Sequence, residues 1–418
     1  MSSNDIRCST CGLHQFHVPA LGSELLSLDN SNKCDYCNLY SENSNLYHLD
    51  YSSNEEKFEQ IIQDNKGNGE YDCIVLFTGG KDSTFTLQLL VKKYKCRVLA
   101  LTWDNGFFGK DVRNNIENVT KTLGVDHEYI GVSEQALKDF YCNRLNNFGR
   151  FCSCANLAVM FCAPRIMETK APLTFLSVSY GQAFSAIETV LPIRTDKEQS
   201  QIILESFTKA VQSPVPIRDN VDTALFNGVL IDLLSGDLME ETVNEFAPYF
   251  KALDKLRTDK LDHYFIFPAF FFNWDPETIV SEIKKVGWSR PAHAEGNTHT
   301  SCIVEEMKGY LAYNQEIVNY DVLELAMYHR TGMCDSDEYY KEFDTLGYCM
   351  DEPEVLDDFL SYLEIDKEHL NSIINNKLAQ RTDVPSINSK ALKQLDISMS
   401  GKEVYERMNR ALTKQILV

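Results

Sequence analysis

Two kinds of residue in this sequence have types and spacing suited to chemistry: a glycine pair flanked by hydroxyls and an acid, and cysteines. The run Thr78-Gly79-Gly80-Lys81-Asp82-Ser83 follows a short apolar stretch, Cys73 to Phe77, and precedes Thr84 to Val91, whose spacing is helical. Strand, glycine turn and helix together turn several free N–H groups and a positive helix end toward a phosphate. Cys8-Ser-Thr-Cys11 and Cys34-Asp-Tyr-Cys37 form two CxxC pairs with residues 12–33 between them. Two such knuckles complete a closed tetrahedral Zn2+ site, with an iron–sulfur cluster on the same four as the alternative. Cys152-Ser-Cys154 lies just before a helical pattern, and Cys302 lies in the polar tract Ala292 to Cys302. A helix N-terminus lowers a thiol's pKa and makes it a better nucleophile or metal ligand. Brought to one rim, these three would suit a cluster such as [4Fe-4S] with one iron left open, or a persulfide relay. Three inert core thiols is the competing reading, because cysteine is among the most buried residue types.

The elements that must position these groups follow from periodicity. Strands are expected at 73–77, 97–102, 127–132 and 173–179, with helices at 82–94, 110–124, 134–147 and 155–169 between them. That alternation predicts an α/β fold, a parallel twisted sheet with helices on both faces. Ligands of such sheets lie at the carboxyl ends of the strands, which gathers Thr78–Ser83, Trp103–Gly106 and the residues after Ser179 onto one rim. Gly181 would let a backbone approach a ligand and Gln182 would contact ribose or pyrophosphate; a plain turn is an equal reading. Residues 1–50 read as a zinc-ribbon-like four-cysteine module and 51–70 as a linker helix. The catalytic domain spans 71–310 with a helical insertion at about 196–257, and 311–418 form a helical domain that packs beside the sheet or makes a homodimer contact.

Bulk properties exclude several classes. Sixty-one acidic against forty basic residues give a net charge of −21, which repels phosphate backbones and disfavours a general nucleic-acid binder. No apolar run is long enough to span a bilayer; the longest candidate, Tyr264 to Trp274, reads as a strand and a turn. The first residues lack the apolar core of a signal peptide, so a cytoplasmic protein is expected. Thirteen cysteines, an odd number without an export signal, point to thiols and metal ligands more than to disulfides.

The loop resembles the S-G-G-x-D-S loop of the N-type ATP pyrophosphatases (PP-loop enzymes), with Thr78 keeping the hydroxyl of the usual first serine. The two CxxC pairs, Asn114 to Val119 with Leu123-Gly124, Cys334 to Tyr340 and Tyr362 to Ile365 resemble N-acetyl sugar amidotransferases of surface-polysaccharide (LPS) synthesis. Residues 150–310 match that family less well, and Cys152, Cys154 and Cys302 belong to this departing part. Iron–sulfur tRNA thiolases offer another precedent, from which the CxC spacing here departs.

These resemblances imply that a carbonyl or amide oxygen of the substrate attacks the α-phosphate of ATP and pyrophosphate leaves. Ammonia or sulfur then displaces AMP. They further imply adenine near Trp103 and Asp104, cations Lys81 and Arg194 at the departing pyrophosphate, and Mg2+ near Asp82. The chain begins Met-Ser-Ser and has no G-x-C-x-G elbow, so an amidotransferase would draw ammonia from a separate glutaminase. The leading expectation is amidotransfer onto a small-molecule sugar, and the alternative is sulfur transfer to a small molecule or tRNA.

Overall fold

The computed structural model describes residues 7–14, 27–67, 69–188, 191–193, 195–259, 261–294, 300–317, 319–333, 342–343, 349, 351–381, 383–397 and 399–414. Its centre is β1 (Cys73–Leu76), a run of β-branched and apolar residues buried at every position. Such a strand can only sit inside a sheet covered on both faces. β1 pairs in parallel with β2 (Val98–Trp103) on one side, Cys73 opposite Val98, and with β4 (Leu173–Phe175) on the other, Cys73 opposite Leu173. β3 (Asp126–Ile130) extends the sheet beyond β2, β6 (Tyr264–Ile266) extends it beyond β4, and β5 (Val215–Pro216) lies outside β6. The order is β3-β2-β1-β4-β6-β5, so the direction of strand addition reverses between β1 and β4. Ligands of open α/β sheets collect at such a reversal.

Alternation along β1 divides the interior. Ile74 and Leu76 join a core built with the helices Glu134–Phe148, Cys154–Thr169 and Glu240–Thr258. Cys73 and Val75 face a second core, lined by the helices Tyr51–Asn65, Lys110–Leu123 and Pro276–Ile283. The helix Tyr51–Asn65 thus contributes Phe58 and Ile62 to the covering of the sheet.

The structure departs from the expected elements in three places. The strand expected at 173–179 ends at Phe175, and the hydroxyls of Ser177 and Ser179 leave the ladder to bond Thr86 and Glu324. The helix expected at 82–94 is α-helical over Lys81–Gln88 and widens to a π-turn over Leu89–Lys93. The sheet also gains an antiparallel edge, β5 against β6, where a wholly parallel sheet was expected. Proline in β5 suits an edge, where no donor is needed on the outer side. The helical pattern read at 335–347 falls largely outside the described residues.

Candidate nucleotide and thiol site

β1 delivers the chain to the reversal point, and the loop after it is shaped by glycine. Gly79 has φ +71°, and a Cβ there would lie 2.6 Å from Ile116 Cγ1, so both backbone conformation and packing demand glycine. Gly80 caps the helix Lys81–Gln88. Within the turn, the Thr78 N–H donates to Ser83 Oγ at 3.2 Å, the two hydroxyls lie 3.2 Å apart, and the Gly80 N–H reaches Thr78 Oγ1 at 3.3 Å. The hydroxyls at both ends of the motif therefore fold the loop on itself. The Lys81 N–H, the first free donor of the helix, is met by Thr300 Oγ1 at 3.0 Å.

Lys81 and Asp82 are paired, with Nζ 2.7 Å from both carboxylate oxygens. Trp274 donates its indole N–H to the same carboxylate at 2.7 Å, and Trp288 donates to Gly79 O at 3.0 Å. The cation expected at pyrophosphate and the acid expected at Mg2+ thus neutralise each other, and an indole fixes the acid's orientation.

At the end of β2, Trp103 is buried and stacked on Phe161, ring centroids 5.3 Å apart. Asp104 is held by both terminal nitrogens of Arg113, at 2.9 and 3.1 Å, and its Oδ1 also accepts the Gly106 N–H at 3.1 Å. Beyond β4, the close approach that Gly181 permits is to Tyr328 and Glu324: a Cβ would lie 2.8 Å from Tyr328 Cζ. Gln182 Oε1 accepts the Ser179 N–H while the Gln182 N–H reaches Ser179 Oγ, both at 3.1 Å. This is a reciprocal cap that closes the start of the helix Tyr180–Glu188. Arg194 lies outside the described residues.

The three rim cysteines come from separated parts of the chain, and all are partly buried. Cys154 opens its helix and accepts a hydrogen bond from Asn105 Nδ2 at 3.6 Å; Tyr141 donates to Asn105 O at 2.7 Å. The loop before it is held by Arg144, which donates to Phe151 O at 3.1 Å and Cys152 O at 3.0 Å and forms a buried ion pair with Asp232. Asp232 also accepts the Ser153 hydroxyl. Cys302 is brought in by the tract that begins at Thr300, whose Ile303 N–H donates to Phe107 O at 3.1 Å. One short segment therefore runs from the start of the helix Lys81–Gln88 to Cys302. The Cys154 hydrogen bond pulls the Cys152 thiol below its ordinary range, aided by the charges of Lys308 and Arg144. The same pairing with Cys152, together with burial, pushes Cys154 up; burial is the main cause for Cys302.

The other cysteine set is closed. Cys8, Cys11, Cys34 and Cys37 are all buried, and their sulfurs lie within 4.8 Å of one another. Cys8 and Cys37 sulfurs are 3.8 Å apart, Cys11 and Cys34 3.6 Å. A tetrahedron with Zn–S bonds of about 2.3 Å has edges of about 3.8 Å, so this donor set fits one metal ion and leaves no open position. It packs on Val322, Leu323, Leu325 and Ala326 of the helix Tyr320–Thr331. That helix also carries Arg330, whose buried ion pair with Glu188 is completed by the Tyr47 hydroxyl at 2.8 Å.

No protein-family model matches the chain. An uncharacterized protein of Methanocaldococcus jannaschii is 28% identical over 175 residues, 38% of this chain and 61% of that protein. The chain thus spans about three-fifths of the length of the curated relative it matches. Three solved structures are similar at low scores. An NH3-dependent NAD synthetase from Campylobacter jejuni, in complex with nitrate, has a TM-score of 0.27 and 18% identity over 49% of this chain and 96% of that one. A U34-tRNA thiolase from Methanococcus maripaludis with its [4Fe-4S] cluster has a TM-score of 0.33 and 13% identity over 88% and 89%. An NMN synthetase from Francisella tularensis has a TM-score of 0.25 and 13% identity over 51% and 98%. Likenesses at these scores assign no reaction to the chain.

Tyr141, Arg144 and Asp232 carried no motif; Asn105 and Thr300 lay within stretches the sequence marked, at the end of the second strand and in the polar tract, but all five act through partners distant in sequence, which spacing does not reveal. Tryptophan had a compositional signal: of three in the chain, two donate into the Thr78–Ser83 loop and its helix.

Proposed function

We propose that the chain is an ATP-dependent, AMP- and pyrophosphate-forming transferase that adenylates a carbonyl oxygen of a small acceptor and then replaces that oxygen with sulfur. In the first step the acceptor oxygen attacks the α-phosphate and pyrophosphate leaves. In the second, hydrosulfide attacks the activated carbon, its S–H proton is released to solvent and AMP departs with the original oxygen, leaving C=S. The observation that carries the reading is the convergence of Cys152, Cys154 and Cys302 beside a phosphate-type loop at the reversal point of the sheet. The Thr78–Ser83 backbone would cradle the phosphates. Lys81 suits the charge developing on pyrophosphate, and Asp82 suits Mg2+, directly or through water.

Three thiols, partly exposed and less tightly gathered than the N-terminal four, fit a cluster with one open corner or a persulfide carrier with resolving thiols. A [4Fe-4S] cluster held there would supply a seat for the sulfur donor. Arg144, Asp232 and Asn105 orient the thiols whichever donor is used. The acidic net charge of −21 favours a small acceptor over RNA.

Nitrogen transfer onto an N-acetyl sugar, with ammonia from a separate glutaminase, is the second reading. It rests on the sequence resemblance and shares the adenylation step. Pyrophosphate release and product analysis on anaerobically purified protein separate the two. Ser83→Ala should cut pyrophosphate release by about 100-fold, the typical effect of losing one preorganised donor; unchanged release would remove the loop assignment. Cys302→Ala should abolish the sulfur product while pyrophosphate release persists. A product formed equally well by that variant would favour nitrogen transfer.

A further inference from the structure

Arg330 lies in the last turn of the helix Tyr320–Thr331, which packs under the four-cysteine module, and its side chain is wholly buried. Its Nη2 donates to Glu188 Oε2, while the Tyr47 hydroxyl takes the other carboxylate oxygen at 2.8 Å. The pair is therefore not the two-pronged fork that arginine commonly makes with a carboxylate. Nε and Nη1 of Arg330 have no hydrogen-bond partner among the described residues. Charged donors left unmatched in the interior are costly, so a second anion is called for.

The module supplies it. The guanidinium lies 5.7 Å from the ring centroid of Tyr36, a residue inside the knuckle Cys34–Cys37. Burial works against the charge on Arg330, but Glu188, Cys11, Cys37 and Cys34 outweigh it and hold the group well above its ordinary pKa. Three of the four module sulfurs thus act on this one cation. Uptake of a divalent ion releases the thiol protons, so four thiolates and the ion together carry two negative charges in a buried place. A cation close by gains more from the loaded module than from the empty one, which is the condition for raising metal affinity. Glu188 works in the opposite sense, because its carboxylate offsets part of the same positive charge and repels the tetrathiolate.

We infer that Arg330, through the two guanidinium nitrogens that Glu188 leaves free, is the counter-cation of the loaded four-cysteine site and sets how tightly it holds a divalent metal, with Glu188 as the opposing charge. Zn2+ affinity of the full chain is measured by competition with a chromophoric chelator, and Co2+ is used as a spectroscopic probe of the ligands. Arg330→Met should weaken Zn2+ binding by about 10- to 100-fold, the usual effect of losing an outer partner of a metal ligand. Glu188→Gln, whose carboxamide oxygen can still accept from Arg330, should instead tighten it severalfold. The thiolate-to-Co2+ charge-transfer band should remain that of four thiolates in both variants. A merely structural role would move both variants the same way, since either change breaks one ion pair. Unchanged affinity in Arg330→Met, or affinity that is unchanged or weaker in Glu188→Gln, would overturn the inference, as would a wild-type chain that takes up no Zn2+. If Arg330→Met fails to fold, the sign of the Glu188→Gln effect decides alone. Neither ATP nor acceptor enters the test, so its outcome is separate from that of the transfer reaction.

Discussion

The two cysteine sites solve opposite problems with the same side chain. In the N-terminal module two local CxxC knuckles bring four buried sulfurs within 4.8 Å of one another. The rim thiols come from residues 152, 154 and 302, stay partly exposed, and do not close to that spacing among the described residues. A complete tetrahedron has no position for a substrate, whereas three thiols on an open rim leave one. The contrast also separates their support: the first set is framed by its own turns, the second by Arg144, Asp232, Asn105 and a strap from a distant tract.

The comparison is broken most decisively at the closed site. Cys11→Ser or Cys34→Ser should unfold the module, because isolated modules of this type draw on the order of 10 kcal/mol of folding free energy from their metal. Zinc content and limited proteolysis read this; an intact module without metal would make the four thiols ordinary core. The buried pair that joins the helix under the module, Tyr320–Thr331, to the helix Tyr180–Glu188 should come next. Arg330→Met leaves Glu188 buried without its cation and should cost about 3–5 kcal/mol, measured by denaturant unfolding. A loss under about 1 kcal/mol would mean the module and the rim are mechanically independent.

At the open site the expected stability effect is small. Cys302→Ala should cost about 1 kcal/mol or less and leave the metal content of the N-terminal module unchanged. A large loss of stability would mark it as a packing residue.

A further effect, a pH dependence, lies outside both sites. Burial lowers the His263 pKa to about 4, and its Nε2 lies 2.8 Å from Thr174 Oγ1 in β4. The unfolded chain takes up this proton near pH 6.5 and the folded chain only near 4. Stability is therefore full above pH 6.5 and falls between 6.5 and 4, by about 3 kcal/mol. His263→Gln should flatten that slope in thermal melts.

Much of this contrast was legible in sequence where the information is local. The CxxC pairs, the glycine turn and the alternation from Cys73 to Thr169 depend on neighbours along the chain, and their elements fall within a residue or two of expectation, apart from the π-turn. What spacing hides is whatever depends on tertiary partners. Nothing near Thr300 announces that its hydroxyl meets the Lys81 N–H, and nothing near Trp103 announces that it stacks on Phe161. Gly181 looked like a ligand-approach glycine and instead admits Tyr328, because its neighbour is a helix some 140 residues later. Ser177 and Ser179 extended an apparent strand because side-chain hydrogen bonds that end a ladder have no period.

The packing of Cys8, Cys11, Cys34 and Cys37 against the helix Tyr320–Thr331 has a consequence for how the chain is made. The knuckles leave the ribosome long before the apolar surface that covers them, which is synthesised almost three hundred residues later. Until then the module is a solvent-facing cluster of thiols, open to oxidation or to the wrong ion, and closing so long a loop is a late, entropically costly event. Metal captured early by an incomplete module would hold the nascent segment in place for its partner. A metal held by the four thiols would thus be a folding scaffold before it became a structural one.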